Sequence, residues 1–457
     1  MLFYGRIRVI KMVDTIVIVL LVPLGLLCLI KPFFVLYLST ALMVLKFAPM
    51  VDYETTPIIK FGSINIFTTD YLILILFLLL MIFLAKNLIF KRQLLEKLMK
   101  SQISRLVLAL FVWSIFIGIL SYGKGFALQN VLRKIAVESL MFIAILIPTI
   151  PDVDVKKERF FQYSVLLGLL LVCFSLWKYL ISHEVELTSS GTLRTLLGNT
   201  VVIFMLPICY MLFYSRYYRQ HPFLCYTILG LLTIGIALTG HRSGVITLAF
   251  VILMYCLVNN FKLLNYLWIP TAGITMLLLV VLIASMVRIP PGQTLLGDMV
   301  LRTSDTFNLE NKSTRERLSK WDYSLKIIQE HPLLGLGRFP VHTNSIDDAN
   351  QDLKYSFAEF NRANHNMFAE QLANTGVLGL SIMIVFIGGI LRQFRKITAL
   401  DPRYANFLKV YVLSFLLFSQ FNTSFTDPLG KIFLFIMLGF LNVQTLKESG
   451  TLTAFSS

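Results

Sequence analysis

The sequence predicts an all-α, polytopic integral membrane protein with about twelve transmembrane helices and one large, partly helical outer loop. Of its 457 residues, 56% are hydrophobic and only 14% are charged, whereas a soluble domain has about 25% charged residues. Long apolar runs recur along the chain, and the basic residues gather in short loops between them. The net charge of +16 is therefore explained by orientation in a bilayer and not by nucleic-acid binding.

The apolar runs are long enough to cross a hydrocarbon layer about 30 Å thick, which takes roughly 20 helical residues. They lie near 70–85, 105–121, 135–150, 160–181, 199–215, 222–239, 243–258, 265–287, 367–390, 405–423 and 431–446. The stretch 14–50 is interrupted by Pro23 and by Lys31-Pro32, and it is open to one or two crossings. One crossing with a re-entrant piece places the basic N-terminus, which we interpret as part of a retained first span, on the inner side.

Lysine and arginine residues indicate which loops face the cytoplasm. They concentrate in the loops 86–105, 151–159, 216–221 and 391–403, and around Lys262. These loops alternate with the others along the chain, so they share the inner side. The loops that must then face outward are 51–69, 182–198, 240–242, 288–366 and 424–430.

The longest outward loop, 288–366, has predicted structure of its own. Ser313 and Glu316 have the spacing of a capping box, which favours a helix start. An apolar stripe at helical spacing follows, formed by Leu318, Trp321, Leu325 and Ile328. The helix is expected to end within the segment from His331 to Gly337, whose glycines indicate a turn and not a nucleotide-binding loop. We expect this helix to lie on the membrane surface.

Three arginines lie in outward segments, where positive charge is scarce in short loops. Arg194 and Arg242 are expected where apolar runs meet the outer surface, and Arg317 one turn before Trp321 on the loop helix. A guanidinium group matches phosphate oxygens with parallel N–H groups and stays charged at any accessible pH. Each arginine alone is explained by contact with lipid headgroups, but together they indicate an anion site.

His365 follows Asn364, a good helix N-cap, at the start of an apolar run. An imidazole, whose ordinary pKa is about 6.5, suits general base catalysis, and the helix terminus and the arginines would keep it neutral. Glu370 lies one turn deeper on the same helix, where a carboxylate requires a partner. Two supporting candidates face the same side: Asp427, also explained by an Asp-Pro turn, and His241, also explained as a turn residue.

Two further patterns are interpreted as structural. Asp152-Val-Asp154 has the form of a metal-binding carboxylate pair, but it lies in a short inner loop with no domain to hold a nucleotide. His331 and His342 lack the spacing of a zinc site. We therefore expect neither a metal nor a cofactor.

Arginines and a histidine base on one membrane face suit a reaction with a diphosphate leaving group, because the arginines stabilise developing negative charge. The short motifs around these residues lie between Arg194 and Gly379. They are Thr-Gly-His-Arg-Ser-Gly at 239–244, Arg-Leu-Ser-Lys-Trp at 317–321, His-Pro-Leu-Leu-Gly-Leu-Gly at 331–337, Asn-His-Asn-Met-Phe-Ala-Glu at 364–370 and Thr-Gly-Val-Leu-Gly at 375–379. In their order and spacing the sequence resembles the bacterial O-antigen ligase and Wzy-type polysaccharide polymerase family, membrane glycosyltransferases of the GT-C-like kind. The N-terminal third matches that family only in hydropathy.

The resemblance implies a metal-independent, inverting enzyme of the bacterial inner membrane whose active site faces the periplasm. Such enzymes move a glycan from undecaprenyl diphosphate to a sugar hydroxyl, which belongs to lipid A–core in ligases and to a lipid-linked glycan in polymerases. By the same resemblance, Arg242 and Arg317 bind the diphosphate, with Arg194 as a weaker match and the neighbouring Arg315 as the alternative to Arg317. His365 acts as the base or orients the acceptor. Membrane lipids are expected partners, a chain-length regulator is left open, and nucleic acid is excluded.

The chain is expected to divide into N-terminal transmembrane helices (1–190), a ligase-like catalytic region with the outer loop (191–390), and C-terminal helices with a cytoplasmic tail (391–457). An O-antigen ligase is the first hypothesis, and a Wzy-type polymerase is the alternative because no residue specifies the acceptor. A polysaccharide or lipid transporter is more distant, since transporters place ionisable groups near the bilayer midplane. A structural scaffold explains the spans but not the outward arginines.

Overall fold

The computed structural model describes much of the predicted bundle and part of the outer loop. The residues that it describes are 37, 40, 41, 44, 59–61, 64–66, 96, 98–123, 128–150, 152–177, 186–187, 193–194, 196, 198–239, 241–258, 288–289, 293–294, 324–337, 366–421, 425 and 427–448. The predicted spans 70–85 and 265–287 lie outside these residues, as does most of 14–50. The number of crossings there stays a prediction.

Helix is the main secondary structure of the described residues, because a helix pairs the backbone groups of an apolar segment internally. The first part of the bundle contains α1 (Gln102–Gly123), α2 (Leu128–Ser139), α3 (Ile143–Leu146) and α4 (Val153–Trp177). Short 3-10 segments at Leu140–Phe142 and Ile147–Thr149 flank α3. Together they make one irregular helical segment over the predicted run 135–150.

The second part of the bundle begins with a 3-10 turn at Gly198–Thr200 and ends near the C-terminus. Its helices are α5 (Val201–Cys209, continued by a π-helical turn at Tyr210–Tyr214), α6 (Arg216–Gln220), α7 (Pro222–Leu238), α8 (Arg242–Val258), α9 (Met367–Thr398), α10 (Pro402–Ser419) and α11 (Pro428–Glu448). These helices confirm the predicted apolar runs in the described part of the chain. Helices α4 and α9 extend past the predicted limits at 160 and 390, because their charged residues continue the helix beyond the apolar run into the loops predicted to face inward.

Among the described residues, four helices are long and apolar enough to cross a membrane, namely α1, α4, α9 and α11. Shorter apolar helices occupy Ile135–Thr149, Val201–Tyr214, Pro222–Leu238 and Ser243–Val258. The helices therefore fit a membrane protein with several spans. The total of about twelve spans stays a prediction.

In the part of the chain that the structure describes, three short antiparallel strand pairs depart from the all-α prediction. They are β1 (Ile59–Phe61) with β2 (Ile64–Ile66), β3 (Glu186–Leu187) with β4 (Leu193–Arg194), and β5 (Arg288–Ile289) with β6 (Gln293–Thr294). Each pair lies in a loop predicted to face outward. A hairpin there pairs backbone groups that are not in a helix, and strands of two or three residues give too short an alternating pattern to be found in the sequence.

Helix α11 lies at the centre of the bundle, where it packs against α3, α9 and α10. The most apolar stretch of 18 residues in α11 is 89% buried, compared with 33% for the corresponding stretch of α1. The buried Asn442 side chain donates to the Ser104 hydroxyl (3.0 Å) and the Ala144 carbonyl (3.1 Å). Its oxygen accepts a hydrogen bond from the Ser101 hydroxyl (2.5 Å). Because a buried amide is stable only when it is paired, these bonds connect α11 to α1 and α3.

Charged and aromatic side chains join the bundle at one end. We call this group the basal cluster, and it comprises Asp154, Lys157, Glu158, Tyr210, Tyr404 and Lys447. Asp154 on α4 pairs with Lys157 (3.2 Å) and with Lys447 at the end of α11. The Lys157 ammonium lies 4.4 Å from the centre of the Tyr404 ring, and the Tyr210 hydroxyl donates to Glu158 (2.5 Å). The helix ends that meet here are the ones predicted to face the cytoplasm.

The carboxylate of Asp154 is thus used by the fold, which agrees with the structural interpretation of the Asp-Val-Asp pattern. At the opposite end of the bundle, a buried ion pair joins Lys431, in the first turn of α11, to Glu138 of α2. Their exposed fractions are only 1% and 6%. The pair connects α2 to the first turn of α11.

Candidate functional site

Besides the β5–β6 pair, the described part of the long loop predicted to face outward is a helix over 324–330 followed by a turn over 331–337. Gly335 and Gly337 have φ values of +59° and +61°, a backbone conformation that glycine adopts without steric cost. The turn confirms the structural interpretation of these two glycines.

The described part of the loop helix buries Ile327, which is 1% exposed and packs with Leu336 and Ala373. Leu325, a member of the predicted apolar stripe, is 57% exposed. An exposed apolar residue at this position is compatible with a stripe that faces the membrane. The location of the helix on the membrane surface stays a prediction.

Helix α9 is interrupted at Gly376, whose φ of 65° and ψ of −168° are not helical. The interruption leaves two backbone N–H groups without partners in α9, and carbonyl groups of the loop turn accept hydrogen bonds from them. The N–H of Val377 donates to the carbonyl of Pro332 at 2.9 Å. The N–H of Leu378 donates to the carbonyl of Leu333 at 3.3 Å. In an apolar environment such groups must be paired, so the loop replaces part of a helical turn.

The main chains of the loop and of α9 are in direct contact. The N–H of Leu336 donates to the carbonyl of Ala373 at 3.0 Å. A Cβ atom on Gly335 would lie 2.5 Å from that same carbonyl oxygen, and one on Gly376 would overlap the main chain of the loop turn. Both positions therefore require glycine. We call these two contacting segments the loop–helix junction, which comprises residues 331–337 and 373–379.

The end of α1 completes the junction. The Ser121 hydroxyl lies 2.8 Å from the Gly337 carbonyl and 2.8 Å from the carbonyl of Ile117 in its own helix. Further along α1, the indole nitrogen of Trp113 would lie 3.0 Å from a Cβ atom on Gly379. Three segments that are distant in the sequence thus meet at one place.

Asn366 caps the beginning of α9. Its Oδ1 accepts hydrogen bonds from the N–H groups of Phe368 and Ala369, both at 3.0 Å. The predicted cap was Asn364, so the helix begins two residues later than expected, because the side chain at 366 is the one that reaches the free amides of the first turn. His365 directly precedes the cap in the chain and lies outside the described residues.

Several polar side chains that follow the cap on α9 are buried. Glu370 is 5% exposed and Asn374 is 3% exposed. Within the part of the chain that the structure describes, Oδ1 of Asn374 has no hydrogen-bond partner. The neighbouring Thr375 hydroxyl, by contrast, donates to the Gln371 carbonyl at 2.7 Å. Glu370 thus lies at the predicted place, and Asn374 is a buried polar residue that no sequence pattern indicated.

The Thr-Gly-His-Arg-Ser-Gly motif forms the turn between α7 and α8, with Arg242 as the first residue of α8. The His241 backbone N–H donates to the Thr239 hydroxyl at 3.3 Å, a contact typical of a turn residue. A Cβ atom on Gly244 would lie 2.9 Å from Val201 at the start of α5, so α8 packs closely there. A helix start with positive backbone polarity suits an anion, and the main chain of Arg242 lies at this start as predicted.

Asp427 acts as a cap for α11. Its carboxylate accepts from the Gly430 N–H at 3.4 Å, and its carbonyl accepts from the Lys431 N–H at 3.0 Å. These contacts favour the structural interpretation of the Asp-Pro turn. Arg194 lies in β4, where its main chain pairs with Glu186 of β3.

The structure brings together the loop turn, the first part of α9 and the end of α1. Several predicted site groups lie outside what it describes: His365, Arg315 and Arg317, and the side chains of Arg194 and Arg242. Their roles stay predictions. Among the described residues there is no group of three or more histidine, cysteine, aspartate or glutamate side chains that could hold a metal ion.

Three residues of this region were given no individual role by the sequence. Gly376 had a signal, since it is part of the motif at 375–379 and a glycine in an apolar run marks a place of close packing or a break. Ser121 and Asn374 had none, because their significance comes from segments that are far away in the sequence. Contacts of this kind become visible only in the folded chain.

Comparison with known proteins adds one finding that is independent of these contacts. The O-antigen ligase family matches residues 227–384, a region that begins within α7 and ends within α9. It contains the motif at 239–244, the long loop and both segments of the loop–helix junction. No curated protein matches the chain.

Proposed function

We propose that this protein, which belongs to the O-antigen ligase and Wzy family through residues 227–384, moves a glycan from undecaprenyl diphosphate to a sugar hydroxyl on the periplasmic face of the bacterial inner membrane. The observation that supports the proposal most strongly is that the family region coincides with the outer loop and with the helix to which this loop is bonded. Lipid A–core is the first candidate acceptor, since the matched family is that of the ligases.

In the proposed reaction, Arg242 and Arg317 bind the diphosphate, and Arg194 or Arg315 adds positive charge. The bond from the anomeric carbon to the diphosphate oxygen breaks as the acceptor oxygen bonds to that carbon from the opposite side. Undecaprenyl diphosphate leaves, the configuration inverts, and His365 takes the proton of the acceptor hydroxyl. The arginines stabilise the charge that develops on the leaving group, so the proposal uses no metal.

The loop–helix junction supports this assignment. Arg317 precedes the loop turn in the chain, and His365 precedes α9. Because main-chain hydrogen bonds attach the turn to α9, both predicted site segments are connected to one rigid place. Such support is what a reaction between two bound substrates needs, since small displacements of catalytic groups are costly.

The basal cluster favours an enzyme over a transporter. A transporter must open its inner end to release its substrate. Here that end is joined across four helices, by the ion pair from Asp154 to Lys447, by Lys157 on the Tyr404 ring and by the bond from Tyr210 to Glu158. The interruption of α9 lies within its first ten residues, nearer the outer end than the middle of the helix.

The proposal is tested with the purified full-length protein, a lipid-linked glycan donor and lipid A–core. We expect glycan transfer without an added metal, and a loss of at least about a hundredfold in His365→Ala and Arg242→Ala, in line with the usual contribution of a base or an anion-binding group. The matched controls are His221→Ala and Arg216→Ala, which change exposed residues near the inner end and should keep full activity. Equal activity in all four variants would remove the proposed site.

The alternative function, a Wzy-type polymerase, uses the same donor and the same base. Incubation with lipid-linked repeat units alone distinguishes the two. A ladder of longer lipid-linked glycans in the absence of lipid A–core would establish the polymerase, whereas transfer that depends on lipid A–core would establish the ligase.

A further inference from the structure

The first part of α9 has a polar face inside an otherwise apolar helix. Asn366, Glu370 and Asn374 follow one another at intervals of four residues, so they lie on the same side of the helix. Asn366 uses its side chain to cap the helix. Glu370 and Asn374 face the interior, with exposed fractions of 5% and 3%. Buried polar residues at consecutive turns indicate a function other than packing.

The Asn374 side chain is the more informative of the two. Within the described residues its Oδ1 is buried and has no hydrogen-bond partner, which typically costs about 1–3 kcal/mol. The nearby backbone donors at Leu336, Val377 and Leu378 are all bound to other carbonyls. An amide oxygen only accepts hydrogen bonds, so the missing partner must be a donor that the described part of the chain does not supply.

We infer that Asn374 and Glu370 bind hydroxyl groups of the acceptor glycan. This inference rests on the proposed function and deepens it. A sugar hydroxyl supplies the donor that Asn374 lacks, and four helical residues rise about 6 Å, so both side chains can contact one sugar residue. The acceptor is assigned to this face because His365, the proposed base for the acceptor hydroxyl, directly precedes the same helix. The diphosphate of the donor is bound by the arginines.

The site is covered in this structure, so the acceptor reaches it by displacing what covers the two side chains.

The unpaired oxygen has a consequence for stability. A leucine at 374 has a similar volume and no polar atom, so Asn374→Leu should leave the free energy of unfolding unchanged or raise it. A residue that binds substrate and not the fold shows this combination of lost function and retained stability.

The test measures steady-state transfer by the purified full-length protein, with the acceptor and the donor varied separately. For Asn374→Leu and Glu370→Gln we expect an increase of about tenfold in the KM for the acceptor, from the loss of one hydrogen bond, and no change in the KM for the donor. Gln371→Leu, on the neighbouring side of α9, is the matched control and should change neither value. A melting temperature of Asn374→Leu at or above that of the wild type completes the expected result.

A second measurement uses acceptors from which single hydroxyl groups have been removed. For the wild type, one such acceptor should have a higher KM than the complete acceptor. For Asn374→Leu, the two acceptors should have the same KM, because the hydroxyl and the amide are the two partners of one bond. An unchanged KM for the acceptor, or a variant that does not fold, would overturn the role of Asn374 and Glu370 in acceptor binding. Transfer by the wild type would still uphold the proposed function. Absence of transfer by the wild type would overturn both.

Discussion

Gly335 and Gly376 each have a positive φ. In addition, main-chain atoms of the facing segment occupy the place where any other residue would have its Cβ atom. In most turns a glycine satisfies only the first condition, and asparagine is tolerated in its place. Here the second condition excludes every other residue type. These two glycines therefore limit how the loop can change without separating from α9.

Replacement of Gly376 by alanine should weaken the loop–helix junction. The added Cβ atom would overlap the carbonyl group of Leu333, and the residue would keep a φ that alanine disfavours, so we expect a loss of about 1–3 kcal/mol in the free energy of unfolding and reduced glycan transfer. Thermal unfolding in detergent and the transfer assay measure the two effects.

The matched control is Gly388→Ala in the same helix. Position 388 has no atom within 4 Å of an added Cβ, so alanine there should stabilise α9 by up to about 1 kcal/mol through its helix propensity. Equal melting temperatures for the two variants would contradict the close contact at Gly376.

The N-cap of α9 shows where residue types alone leave a choice. Asn364 and Asn366 are both suitable caps, and either one gives a helix over the same apolar run. The choice depends on which side chain reaches the free N–H groups of Phe368 and Ala369. That depends on the path of the loop before the helix, which no local pattern determines.

At the level of the elements, apolar runs predicted the positions of the helices in the described part of the chain. Apolar runs predict helices because a membrane span must bury a fixed length of backbone in an apolar layer. They do not reveal the interruption of α9, since Val377 and Leu378, which follow it, are as apolar as any span residue. The interruption exists because the loop turn, from elsewhere in the chain, supplies the carbonyl groups.

The caps of α9 and α10 provide a test of how the start of α9 contributes to function. Asn366→Ala and Asp401→Ala each remove a side chain that accepts two backbone hydrogen bonds at a helix start. Both should cost about 1 kcal/mol of stability. Only Asn366→Ala should reduce glycan transfer, because only α9 begins next to His365. The same loss of transfer in both variants would show that the effect is one of general stability.

At the scale of the whole molecule, the predicted topology and the folded bundle agree in one particular. Helix ends assigned to the cytoplasm by their basic residues are the ends that meet in the basal cluster. The sequence could not show that these ends are joined to one another, because Asp154 and Lys447 are nearly three hundred residues apart. It also could not identify α11 as the central helix, since the mean hydropathy of α11 is lower than that of α1.

A cross-link within the basal cluster should leave the enzyme active. We expect Asp154→Cys with Lys447→Cys, joined by a short bismaleimide in a protein whose five native cysteines are replaced, to retain glycan transfer, because the proposed reaction uses only the outer end. Mass spectrometry gives the extent of cross-linking, and the same doubly substituted protein without reagent is the control. Loss of transfer on cross-linking would favour the transporter.

The interruption of α9 also constrains how the protein is made. In the predicted topology, the loop turn at 331–337 is synthesised and moved to the outer side before α9 enters the membrane. Until the turn docks, the N–H groups of Val377 and Leu378 have no carbonyl partners from the loop. We therefore expect insertion of α9 to be complete only after the turn has docked, and a defect in the loop turn to impair the insertion of this helix.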